Sequence, residues 1–112
     1  MSNESKNKKP LAKKTDIIII ATATALPGKE KQLEKALRDV ANPTREQKGS
    51  VEFNLFRSKE NPAVIVGLER WSSEEDHDKH LQGDHVKALF AAMADVLAGP
   101  PSIATYNILE EL

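Results

Sequence analysis

The sequence predicts an α+β domain: a four-stranded antiparallel sheet with helices on one face, in the order βαββααβ. Three observations predict it. Four segments are β-branched or alternate apolar and polar residues. Others repeat apolar residues at three-and-four spacing. Glycine or proline punctuates the junctions between them. The length, 112 residues, suits one domain.

The first strand begins at Ile17. Four isoleucines followed by A-T-A-T-A suit a pleated strand, where branched side chains pack well, and Pro27-Gly28 stops it as a turn. The preceding MSNESKNKKPLAKK and the A-x-A pattern also have the outline of a secretory signal. Only Ile17 to Ile20 are strongly apolar, however, and Asp16 sits at their edge, so the residues favour a strand. Residues 29–47 place Leu33, Ala36, Leu37, Val40 and Ala41 on one helical face. Glu34 with Arg38 and Lys35 with Asp39 are supporting pairs four apart on the other. Pro43 should bend or end this helix, and Gly49 closes the element.

Residues 50–57 alternate as a strand, with Val51, Phe53 and Leu55 on one face and Glu52, Asn54 and Phe56 on the other. Residues 63–71 form the next strand of a hairpin. Ser72 with Glu75 reads as a capping box for a short polar helix to about Leu81. Asp84 is the expected N-cap of a second periodic helix through Val86, Leu89, Phe90, Met93, Val96 and Leu97, ended by Gly99 and two prolines. Residues 102–109 form the last strand. Connection rules reduce this order to a ferredoxin-like split βαβ sheet. Residues 17–20 and 63–66 are apolar on both sides of their strands, whereas the helices cover one face. The uncovered face predicts a two-fold homodimer.

Residues 1–14 carry five lysines, one glutamate and little apolar surface, which predicts a disordered basic tail ahead of a single domain over 15–112. The tail is +4 and the whole chain −1, so the domain carries −5. That acidity argues against nucleic-acid binding, and no apolar run approaches the roughly twenty residues needed to span a membrane. The chain has no cysteine, which agrees with a reducing, cytoplasmic setting and excludes thiolate nucleophiles and zinc-thiolate sites. The five glycines are scattered, so neither a dinucleotide fingerprint nor a phosphate-cradling loop is present.

His77, His80 and His85 lie close together, and the first two are three apart on one helical face. A metal needs further ligands, and Glu74, Asp76, Asp78 and Lys79 make the segment read as a solvated helix, so no metal site is expected. Gly67 is the one glycine inside a branched strand, which marks a bulge, a packing contact or the close approach of a ligand. Trp71 ends that strand and suits a core, an interface or stacking on a flat ligand.

LPGKEKQLEKALR and then TREQKGSVEFNLFRSKENPAVIVGLERWSSEEDHDKHLQGDH resemble the antibiotic biosynthesis monooxygenase family of dimeric α+β barrels, over about residues 16–109. The most specific piece is E-R-W-S-S-E-E, with His80 nine residues after the tryptophan. The resemblance implies a homodimer with a pocket between sheet and helices. It also implies a cofactor-independent monooxygenase that joins dioxygen to a hydroquinone or polycyclic phenol. In that setting His80 is the candidate to take the phenolic proton, with the helix-packing or surface histidine as its alternative. Trp71, Asn54 and Phe56 would line or orient the substrate, Gly67 would allow its approach, and His85 would be a second base. Members that tailor polyketides carry an asparagine where this chain has Gly67. The haem-degrading branch uses an asparagine and a histidine where this chain has Ala21 and Phe90, which disfavours haem degradation. A non-catalytic dimeric module that binds a small ligand or serves in stress protection, and an isomerase or lyase of the same fold, are the other readings.

Overall fold

A computed structural model describes residues 11–111. The first ten residues of the expected tail therefore lie outside the described residues. The elements are β1 (Ile17–Thr24), α1 (Glu30–Arg45), β2 (Ser50–Arg57), β3 (Val64–Trp71), α2 (Glu74–Leu81), α3 (Asp84–Met93) and β4 (Ser102–Asn107). The sheet order is β2-β3-β1-β4 with every neighbouring pair antiparallel, which is the ferredoxin-like arrangement. The branched Ile17–Ile20 run forms half of a central strand.

Strand register divides the side chains between two faces. Ile17, Ile19, Ala21 and Ala23 of β1 pair with Trp71, Glu69, Gly67 and Ile65 of β3, and these positions face the helices. The core follows that face. Ala23, Ile65, Leu33, Met93 and Val96 pack at one end, Phe53, Val40, Ala41 and Val86 beside them, and Ile17, Ile19 and Trp71 at the other end. The alternate positions, among them Ile18, Ile20, Val66 and Leu68, face away from the helices. Phe56 and Tyr106 on that side are 54% and 49% exposed.

Four expectations shift at their boundaries, the simplest being the last strand, which ends at Asn107 rather than at residue 109. Helix α1 runs through Pro43 to Arg45, because a proline this near the C-terminal end removes a single intrahelical bond and its ring lies on the exposed side. Helix α2 is capped by Ser73, whose side chain accepts from the Asp76 N–H at 3.1 Å, rather than by Ser72. Ser72 is held instead by its N–H to the Gly49 carbonyl at 2.8 Å and by its hydroxyl to Asp76 at 3.1 Å. Helix α3 starts at Asp84 with Gly83 as N-cap, and its regular turns stop at Met93, short of the periodic residues Val96 and Leu97. Leu97 instead bridges to Ala25.

Residues 13–16 and Glu111 are tied to the face opposite the helices. Arg70 donates from Nε to Asp16 Oδ2 at 2.8 Å, from two nitrogens to the Glu111 carboxylate at 2.8 Å each, and to the Lys13 carbonyl at 3.0 Å. Asp16 also accepts from the Lys13 N–H, so residues 13–16 form a turn ahead of β1.

Gly49 fixes where α2 begins. Its φ is +86°, the left-handed region that residues with a Cβ rarely adopt, and a Cβ there would run into the Asp76 side chain. Gly49→Ala is therefore expected to cost about 2 kcal/mol or more, from backbone strain and the displaced Asp76. Urea unfolding followed through Trp71 fluorescence measures it, and a loss below about 0.5 kcal/mol would contradict this account.

Candidate active site

The site grows from a gap in the sheet's side-chain rows. One row across the four strands reads Leu55, Gly67, Ala21 and Ile103. Its two central members contribute a hydrogen and a methyl group, so the space under the helices there stays unfilled. The next row along reads Phe53, Glu69, Ile19 and Thr105. Glu69 therefore stands beside the gap. The result is a cavity of about 80 Å³, closed by Val40, Val86, Leu89, Phe90 and Met93 from the helices. A Cβ added to Gly67 would lie 3.7 Å from Leu55, an ordinary contact, so the glycine is not needed to avoid a clash; its effect is to leave volume.

Glu69 and His80 are the only titratable side chains lining the cavity among the described residues. Trp71, fully buried behind them, donates from Nε1 to Glu69 Oε1 at 2.7 Å. Its ring lies 4.8 Å from that of His80 and 5.8 Å from that of His77. The Gln47 side-chain oxygen accepts from His80 Nδ1 at 2.6 Å and from His85 Nε2 at 3.1 Å. An amide oxygen only accepts, so both nitrogens carry their hydrogens. His80 consequently keeps its lone pair on Nε2, 3.8 Å from Glu69 Oε1. Gly83 makes room for this clamp, because a Cβ on it would sit 2.9 Å from the His85 ring.

Burial decides the charges. Desolvation, with smaller contributions from His77 and His85, pushes His80 down to about 4. His77 is also lowered by burial. Desolvation raises Glu69 above the ordinary carboxylate range, and the Trp71 hydrogen bond only partly offsets it. His80 is therefore neutral near pH 7, and its 3.8 Å approach to Glu69 is not an ion pair. In the free protein His80 does not titrate near pH 7; it is already in its proton-accepting form.

The expected site residues separate into three places. His80 and Gly67 line the cavity. Trp71 and His85 stand behind it, touching Glu69 or the clamp. Asn54 and Phe56 belong to an open cleft of about 490 Å³ between the free edge of β2 and α1, with Arg38, Arg45 and Arg57 on its walls. Ala21 and Phe90 both line the cavity, so the two positions compared with the haem-degrading branch do meet there. Glu69 and Gln47 were not among the expected residues. No group of three His, Cys, Asp or Glu is placed to hold a metal among the described residues. No helix among them is long and apolar enough to cross a membrane.

A family model described as antibiotic biosynthesis monooxygenase matches residues 16–92. No curated protein matches the chain. Among solved structures, PA3566 from Pseudomonas aeruginosa is similar at 24% identity and TM-score 0.81, over 86% of this chain and 96% of that one. Rv0793 from Mycobacterium tuberculosis is similar at 24% identity and TM-score 0.81, over 86% and 97%. A Nitrosomonas europaea protein provisionally assigned as an antibiotic biosynthesis monooxygenase is similar at 20% identity and TM-score 0.82, over 89% and 96%.

The buried pair makes stability depend on pH in two opposing ways. Unfolded His80 gains its proton near 6.5 and folded His80 only near 4, so its contribution is full above 6.5 and lost as pH falls toward 4. The loss is about 2 kcal/mol once residual screening is allowed for. Glu69 acts in the other direction: its contribution is lost as pH rises above 4.5, where the unfolded carboxyl ionises first. His80→Gln retains a partner for Gln47 and cannot take the proton. Urea unfolding at several pH values is expected to show a shallower loss for this variant between pH 6.5 and 4, and parallel curves would contradict the assignment.

Proposed function

Because the chain belongs to the antibiotic biosynthesis monooxygenase family, we propose that it hydroxylates a single-ring hydroquinone with dioxygen, without a bound cofactor. The observation that carries this reading is the apolar cavity whose titratable lining consists of a neutral histidine with a free Nε2 and a carboxyl whose proton affinity is raised by burial. The overall change converts the hydroquinone C₆H₆O₂ and O₂ into the hydroxyquinone C₆H₄O₃ and water. A phenolate yields an electron to dioxygen far more readily than a phenol. His80 Nε2 takes the phenolic proton, and the imidazolium and phenolate formed together stabilise one another in a site with little water. His80's low affinity for a proton in the free protein is thereby offset once the anion is beside it.

Volume favours one ring over several. A cavity of about 80 Å³ is smaller than the roughly 150 Å³ that holds a benzene ring, so even one ring enters only as the α3 side chains Leu89, Phe90 and Met93 give way. A polycyclic phenol would need the helices to part from the sheet. The rival reading, binding without turnover, is favoured by the same small, sparsely polar cavity.

The proposal includes a homodimer joined through the sheet face that the helices leave open. Ile18, Ile20, Val66 and Leu68 form its centre, with the exposed Phe56 and Tyr106 flanking it, a composition that favours burial against a second copy. Sedimentation at micromolar concentration is expected to show a two-chain particle that Leu68→Glu converts to single chains. A folded lone protomer of the unaltered protein would refute the dimer.

Oxygen uptake tests the activity. In metal-free buffer, single-ring hydroquinones are expected to drive oxygen consumption well above the spontaneous rate, and His80→Gln to reduce it about a hundredfold while leaving the fold intact. Consumption at the spontaneous rate across a panel of such compounds would remove the enzyme reading. Quenching of Trp71 fluorescence by the same compounds would then identify a binding protein.

A further inference from the structure

We infer that Glu69 is a second catalytic residue, the acid that protonates the departing peroxide oxygen, in a two-proton couple with His80. The inference rests on the oxygenase reading of this cavity. Both groups line the same cavity, whose remaining lining is apolar. The Trp71 indole donates to Oε1 at 2.7 Å and leaves Oε2 available to carry the proton that the acid role requires. Gln47 fixes His80 as the Nδ1–H tautomer, so the base presents Nε2 on the Glu69 side, 3.8 Å from the carboxyl. Burial lowers the proton affinity of His80 and raises that of Glu69, so two groups 3.8 Å apart in one cavity are driven in the directions that suit a base and an acid.

The chemistry balances with dioxygen as the only co-reactant. His80 takes the phenolic proton, the phenolate transfers one electron to dioxygen, and the resulting radicals combine to form a carbon–oxygen bond at the ring carbon beside the oxygen. The peroxide anion recovers the proton from His80. The substrate is now a ring hydroperoxide, C₆H₆O₄, whose carbon carries one hydrogen. His80 removes that hydrogen as a proton, its bonding pair becomes the new carbonyl π bond, and the O–O bond breaks. The outer oxygen leaves as water with the proton of Glu69, giving C₆H₄O₃. His80 then returns its proton to Glu69, and the site is reset.

Without an acid at position 69 the hydroperoxide has a second way out. The carbon–oxygen bond breaks instead, hydrogen peroxide departs, and the plain quinone C₆H₄O₂ remains. Product partition therefore reports on Glu69 independently of how fast oxygen is consumed. Glu69→Gln is nearly isosteric and keeps a carbonyl acceptor for Trp71, whereas Glu69→Asp keeps an acid set back by one methylene.

The experiment supplies hydroquinone and oxygen to the full-length protein and both variants, and measures oxygen uptake, hydrogen peroxide and the two quinones. Glu69→Gln is expected to lose about a hundredfold in hydroxyquinone formation, with hydrogen peroxide replacing it, and Glu69→Asp to recover part of the hydroxylated product. Hydroxyquinone at the unaltered rate in Glu69→Gln, without extra peroxide, would overturn the role of Glu69 and leave the oxygenase reading standing. Equal losses in both variants would also overturn it, because an acid would then not be what matters. Spontaneous-rate uptake by the unaltered protein would sink the oxygenase reading itself, a result visible before either variant is considered.

Discussion

The alternation of β3 is the constraint on which the site depends. Successive side chains of a strand point to opposite faces, and the register with β1 fixes which set meets the helices. Gly67, Glu69 and Trp71 are consequently three neighbours on the covered side, while Val66, Leu68 and Arg70 are three neighbours on the open side. A slip of one residue would aim Arg70 into the cavity and Glu69 at the open face. The arginine resists this slip, since its hydrogen bonds to Asp16, Glu111 and the Lys13 carbonyl all lie on its own side of the sheet. Ion pairing on one face thereby helps to hold the geometry of the other.

Placing a carboxyl and an imidazole in that covered layer is costly if they are charged. Taking an ion from water into a protein interior costs several kcal/mol even after relaxation. Here His80 avoids this cost by staying neutral, burial raises the proton affinity of Glu69, and hydrogen bonds from Trp71 and to Gln47 satisfy the two side chains. Neutrality then becomes useful chemistry. A neutral base can accept a proton, and a carboxyl of raised proton affinity beside it can hold and release one, so the pair can return to its starting state by passing a proton between its members.

Much of the fold was legible because apolar spacing reports which face is buried. The β-branched run at Ile17, the alternation at 50–57 and the helical spacing at 29–47 each became the expected element. Boundaries were less legible. Ser72 and Ser73 offer the same hydroxyl, and only the bond from Ser72 N–H to Gly49 shows which of them is still held by the preceding strand. Of the cavity-lining residues, His80 and Gly67 could be singled out because each is an unusual residue for its place. Glu69 could not, because a glutamate in a strand ordinarily marks a solvated position; its signal was its parity with Gly67 and Trp71. Gln47, in the turn after α1, offered no signal at all. The alternation on β2 had already put Asn54 and Phe56 opposite to Phe53, and in the structure they line another cleft.

The sheet's two faces serve different requirements. Glu69, Trp71, His77, His80, His85 and Gln47 all come from one chain, so the acid–base pair is complete without any residue from a second copy. A partner on the open face would act through the strand it covers: Leu68 and Arg70 flank Glu69 along β3, and Val66 and Leu68 flank Gly67. Burying those side chains would stiffen the backbone that carries the cavity floor while leaving its chemistry unchanged. With that face covered, substrate would enter through the other layer. The helices α2 and α3 are short, and the residues that close the cavity sit on α3 and on the segment leading into β4. Glu69 thus stands on a central strand of the sheet, whereas the side chains that would have to yield stand on α3, next to the α2 helix that carries His80.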